Sequence, residues 1–92
     1  MTLHIVQSSP TTSNALRSCI AVFAKGDCLV LIADGVYGAA HPELSDILDG
    51  CYLLEADATA RGLSARASRP ARIDYATFVE LTTRNHPIVN WG

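Results

Sequence analysis

The chain has 92 residues, of which 49% are hydrophobic and 17% charged, with a formal net charge of −2 at pH 7. That length fits one domain, and with no basic run to match a phosphate backbone, direct nucleic-acid binding is not expected. The longest apolar run, Cys28 to Ala33, is far too short to span a bilayer, and Met1 to Gln7 lacks the basic start and long apolar centre of a signal peptide, so a cytoplasmic location is expected.

Leu3 to Val6 is a β-branched apolar run and reads as the first strand. The polar stretch Gln7 to Ser13 reads as a loop ending in helix-capping residues. Leu16, Cys19, Ile20 and Phe23 then recur at helical spacing, with Lys25-Gly26 as the expected cationic last turn and glycine stop. Asp27 opens a second strand. Cys28 to Ala33 is apolar without alternation, as in a central strand of a parallel sheet, buried on both faces.

Asp34-Gly35 reads as the turn that ends this strand. Val36 to Ala40 reads as a helical turn, and Pro42 to Asp49 as a short helix stopped by Gly50. Cys51 to Glu55 is the expected third strand, followed by a short helix capped by Asp57 and ended by Gly62. Ser64 to Pro70, with Arg66 and Arg69, reads as an exposed loop, and Ala71 to Ile73 as a short strand. Asp74 is placed to cap a helix from Tyr75 to about Thr83. His86-Pro87 ends that helix, and Ile88 to Trp91 reads as an extended tail.

Strands alternating with helices predict a three-layer α/β/α domain over residues 1–92, with a mostly parallel sheet of four or five strands. A domain this small cannot bury so high an apolar fraction alone, so its excess apolar surface is expected in subunit contacts.

Ligands in such folds gather beyond the carboxyl ends of the strands, here Gln7-Ser8-Ser9, Asp34-Gly35 and Asp57. No glycine-rich nucleotide fingerprint or nucleophile elbow is present. Asp34 and Asp57 read as a turn former and a cap. His4, His41 and His86 read as isolated histidines without a ligand partner. Three cysteines at irregular spacing suggest free thiols rather than a disulfide framework or a zinc site. Cys28 and Cys51, at strand starts, read as buried packing groups. Cys19 lies on the edge of the first helix's apolar stripe, where packing and thiol chemistry are both open. No metal or cofactor is expected.

Several segments in order resemble the DsrH/TusB family. They are the opening Leu3-His4 followed by Ser9-Pro10, the strand from Gly26-Asp27 through Asp34-Gly35-Val36, the segment Ala60-Arg61-Gly62-Leu63, the segment Ile73-Asp74-Tyr75 with Phe78-Val79, and the ending with His86-Pro87 and Trp91. The resemblance implies a DsrEFH-like fold and an intracellular sulfur-relay role. It implies DsrE/TusD-like and DsrF/TusC-like partner subunits in a heterohexamer, a TusA-like persulfide donor and a DsrC/TusE-like acceptor. The pathway served is either 2-thiolation of tRNA or dissimilatory sulfur oxidation. Some members carry a cysteine matching Cys19; others lack it and hold the main sulfur-bearing cysteine on the DsrE/TusD-like subunit.

The resemblance thus makes Cys19 the candidate persulfide carrier, a feature leaning to the DsrH-like side. The alternatives are a non-catalytic structural subunit of the same complex and a flavodoxin-like module binding a small ligand or anion at Ser8-Ser9 and Asp34-Gly35. Without its partners the chain is expected to self-associate.

Overall fold

Five short strands, β1 (Leu3–Val6), β2 (Cys28–Leu31), β3 (Cys51–Leu54), β4 (Ala71–Ile73) and β5 (Ile88–Asn90), form one sheet in the order β4-β3-β2-β1-β5. Every neighbouring pair is parallel. The computed structural model describes residues 1–63 and 70–92, so the expected loop over Ser64 to Pro70, all but its last residue, lies outside the described residues.

The strand order explains the layers. Steps from β1 to β2, β3 and β4 all run in one direction, so right-handed crossovers put their connections on one face. These are α1 (Ala15–Val22), three 3₁₀ segments (Ala33–Ala40, Pro42–Asp46 and Leu48–Gly50) and α2 (Glu55–Ala60). The last connection returns across the sheet to β5, which puts α3 (Tyr75–Arg84) on the opposite face.

The packing follows this division. On the first face Leu16 and Cys19 of α1, Val36, Ala39 and Leu44 of the 3₁₀ segments and Ala58 of α2 cover Val6, Leu29, Leu31, Cys51 and Leu53. On the second, Phe78 and Leu81 of α3 cover Leu3, Ile5 and Val30. That second layer is thin. No residue of α3 is fully buried, and Tyr75, Val79 and Ile88 are exposed.

Asp74 caps α3 as expected, accepting a hydrogen bond from the Thr77 N–H at 2.8 Å. Other boundaries differ from the sequence reading, each for a local reason. The first helix stops at Val22, before Lys25-Gly26. Asp27 draws the chain into a turn there. Its N–H donates to the Ala24 carbonyl at 2.9 Å, its carboxylate accepts from the Ala24 N–H at 3.0 Å, and Gly26 supplies the positive φ of 93°. The second strand ends at Leu31, because Ala33 turns left-handed with φ 49°. Asp34-Gly35 is accordingly the first turn of a 3₁₀ segment rather than a free turn.

The expected helix from Pro42 to Asp49 divides into two 3₁₀ segments, the second including Gly50. The helix assigned an Asp57 cap begins earlier, at Glu55, with no side-chain cap bond. The extended tail is the fifth strand, pairing with β1 from Leu3↔Ile88 to Ile5↔Asn90.

Gly35 is needed for close approach. A Cβ there would run into the Val6 carbonyl oxygen, and backbone cannot yield as a flexible side chain does. Gly35→Ala is expected to lower unfolding free energy by about 1–3 kcal/mol, the range for overpacking a well-filled site. Urea denaturation checks this, and stability equal to wild type would refute the close approach.

Candidate functional site

The carboxyl ends of the strands, where ligands usually bind in this architecture, are held together by the chain's own groups. Beyond β1, the N–H groups of Gln7 and Ser8 both donate to the Gly92 carbonyl, at 3.0 and 3.1 Å. Ser9 bonds Thr11 within its own turn, and Ser13 Oγ accepts from the Ala15 N–H at the start of α1. The two backbone donors that could cradle an anion at Gln7-Ser8 are therefore already engaged. Beyond β2 and β3, Asp57 Oδ2 accepts from the Ala33 N–H at 2.7 Å and holds the left-handed residue in place. Arg61 Nε donates to Asp34 Oδ1 at 2.9 Å, and Arg61 Nη1 donates to the Asp57 carbonyl at 3.3 Å. Asp34 and Asp57 thus tie the first 3₁₀ segment to α2.

The three cysteines separate by environment. Cys19 faces inward from α1 and is fully enclosed in the larger core cluster, as is Cys51 at the start of β3. Burial, with the nearby Asp27 charge adding to it, pushes the Cys19 thiol up to about 12. Burial, then the neighbouring Cys19, pushes Cys51 to about 12 as well. Both are neutral thiols at physiological pH, and attack on a persulfide requires the thiolate.

Cys28, expected to be a buried packing group, is half-buried instead. It lines a cavity of about 400 Å³ at the amino ends of β2 and β3, together with Phe23, Lys25, Asp46, Asp49 and Tyr52. Burial and Asp27 raise its thiol, and the amino group of Met1 partly opposes them. Among the described residues no group of three or more His, Cys, Asp and Glu side chains could hold a metal ion.

The sequence reading missed a polar network beneath this end of the sheet. His4 is 3% exposed, and its Nε2 lies 3.0 Å from Asp27 Oδ2. On its other side, the indole Nε1–H of Trp91 donates to His4 Nδ1 at 3.0 Å. An indole N–H can only donate, so Nδ1 carries the lone pair and the proton sits on Nε2, which donates to Asp27. Asp27 also accepts from the backbone N–H of Thr2 at 3.1 Å and from that of Ala24. Burial pushes the Asp27 carboxyl up. The bond from His4, those from Ala24 and Thr2 and, once the ring is protonated, the charge on His4 outweigh burial and hold it below its ordinary value. An aspartate directly before an apolar strand was a visible signal; its partner at residue 4, and that residue's own partner at 91, were not.

Known proteins resemble this chain over nearly its whole length. The family described as DsrH like protein matches residues 8–88. Protein TusB of Klebsiella pneumoniae subsp. pneumoniae is 33% identical over 95 residues, covering 97% of this chain and 99% of that protein. Protein TusB of Serratia proteamaculans is 36% identical over 97 residues with the same coverage. The solution NMR structure of protein Tm0979 from Thermotoga maritima superposes with a TM-score of 0.73 at 28% identity, covering 90% of this chain and 92% of that one.

Two outcomes follow from the geometry. In the native protein a maleimide modifies Cys28, while Cys19 and Cys51 react at least ~100-fold more slowly until denaturant is added, because they wait on opening of the core. Peptide mass spectrometry reads the order, and fast native labelling of Cys19 would contradict its enclosure. For Asp27, whose folded pKa is depressed, the stabilisation is complete above the unfolded-state carboxylate value and is lost as pH falls through the lower folded value. Wild-type stability therefore drops more steeply than that of Asp27→Asn below about pH 4, measured as the urea midpoint against pH.

Proposed function

This chain belongs to the DsrH-like protein family, and from that membership we propose that it is a subunit of an intracellular sulfur-relay complex serving 2-thiolation of tRNA. Near-full-length similarity to proteins named TusB carries this reading and favours the thiolation branch over sulfur oxidation. Residues 1–92 act as one DsrH/TusB-like domain in the cytoplasm. Among the described residues no helix is long and apolar enough to cross a membrane.

Within the complex, the chain's contribution lies in its surfaces rather than in a sulfur-bearing thiol. Its partners are DsrE/TusD-like and DsrF/TusC-like subunits, two copies of each in a heterohexamer. Sulfur passes from a TusA-like donor to a DsrC/TusE-like acceptor through a cysteine on the DsrE/TusD-like subunit. The enclosure of Cys19 supports this division. A persulfide there needs a thiolate within reach of a donor, and the Cys19 sulfur sits beneath α1 with its pKa pushed to about 12. The thin layer over the second face supports a surface role, since Tyr75 and Val79 of α3 leave apolar area for a neighbouring subunit.

Co-expression with DsrE/TusD-like and DsrF/TusC-like subunits tests the reading. The expected product is a heterohexamer by sedimentation, whose Cys19→Ser form keeps wild-type sulfur transfer from a TusA-like donor to a TusE-like acceptor. Alone at high micromolar concentration, the chain is expected to sediment above its monomer mass. A mass gain of one sulfur on Cys19, with transfer lost in Cys19→Ser, would return the carrier role to Cys19. Failure to associate with either subunit would overturn the proposal as a whole.

A further inference from the structure

We propose that Trp91 is a pH-sensitive latch on β5, released when His4 takes a second proton at Nδ1, while Asp27 keeps the imidazolium in its place. This inference does not rest on the sulfur-relay reading.

β5 is a three-residue edge strand with β1 as its one neighbour in the sheet. Its residues are exposed or half-buried, so little burial holds it. Backbone bonds from Leu3 N–H to the Pro87 carbonyl and from Trp91 N–H to the Ile5 carbonyl, at 3.0 and 2.9 Å, join the two strands. The half-buried Trp91 ring packs against the larger core cluster, and its polar fastening is the indole N–H on His4.

That fastening tolerates only one protonation state of His4. The neutral ring offers Nδ1 as an acceptor, and the imidazolium offers two donors and no acceptor. Protonation therefore sets an N–H against the indole N–H, which has no lone pair to give. Attraction to the π face does not compensate. The ring planes are 21° apart with centroids separated by 6.1 Å, and the nitrogens meet at 3.0 Å. The two rings therefore meet edge to edge, at the positive rim of the indole rather than its negative face.

On the other side of the ring, Asp27 gains an ion pair from the same event. Its depressed pKa keeps it ionised through the range in which histidines titrate. Across the sheet His4 is flanked by Leu29 of β2 and Val89 of β5, and Phe23, following α1, packs on its ring at 5.4 Å. Among the described residues, the titratable groups around the His4–Asp27 pair are Cys19 of α1 and Cys28 of β2, with Lys25, Asp46, Asp49 and Tyr52 lining the cavity that Asp27 also borders. Both thiols are raised by burial and stay neutral. Acidification thus retains the ring and expels the indole. What opens is the edge of β1, where Leu3 N–H, Gln7 N–H, Ser8 N–H and the Ile5 carbonyl lose their partners.

Trp91 is the chain's single tryptophan, so its signals are unambiguous. Nuclear magnetic resonance on the full chain, titrated from about pH 7.5 to about pH 5, follows the His4 ring nitrogens and the Trp91 indole N–H together. The expected result is one shared midpoint for both. Amide protection at Trp91 and Leu3 should fall about tenfold or more, while Leu29 and Leu53 keep theirs. In His4→Gln, which does not titrate, protection at Trp91 should stay level over the same range. The latch is overturned if His4 titrates while Trp91 protection stays unchanged. It is equally overturned if β5 loosens only together with β2 and β3. The wild-type titration decides these outcomes even if the variant fails to fold.

Discussion

One carboxylate organises the amino end of the sheet. Asp27 is 8% exposed and sits where β1 begins, where the chain leaves α1 and where β2 starts. Burying a charge there is costly unless donors surround it, and three do: His4 Nε2, the Thr2 N–H and the Ala24 N–H. Each comes from a different segment, so satisfying one charge fixes three local geometries. It sets the turn that stops α1 short of Lys25, the register in which β2 meets β1 and the tautomer of His4. Through His4 the same charge reaches Trp91 and the fifth strand, which is how a group at position 27 comes to position the residue at 91.

Features encoded by neighbouring residues were legible in the sequence. The uninterrupted apolar run of β2 announced a strand buried on both faces, and the Leu16–Cys19–Ile20 spacing announced α1. Asp74 three residues before Thr77 announced the cap of α3. Features that depend on a distant partner were not legible. Ile88 to Asn90 carries three residues of weak strand signal behind a proline, and only the open edge of β1 makes a strand of them. Ala33 adopts φ 49° because the Asp57 carboxylate, 24 positions on, receives its N–H. Asp57 read locally is a helix cap, and it is spent elsewhere.

The candidate site shows the same division. Periodicity placed Cys19 on the edge of an apolar stripe, which leaves a thiol open to either packing or chemistry. Its burial is settled by the 3₁₀ segments that bring Val36, Ala39 and Leu44 over the same face. That irregular stretch has neither helical nor strand period, so its path could not be read from pattern alone. Cys28 went the other way. It opens the most apolar strand of the chain, yet it lies on the thinly covered face and lines the cavity beside Tyr52.

The two ends of the sheet therefore have exchanged their usual roles. In parallel α/β folds the carboxyl ends of the strands form the crevice for ligands, because loops and helix starts leave unsatisfied donors there. Here Gly92 takes the donors after β1, Asp57 takes the one at Ala33, and Arg61 neutralises Asp34. An end satisfied from within the chain offers little to a small anion, whereas the amino end keeps a cavity with a half-buried thiol. The second face keeps exposed Tyr75 and Val79. A small domain that has filled its own ligand crevice and kept apolar surface is suited to working through contacts with other proteins.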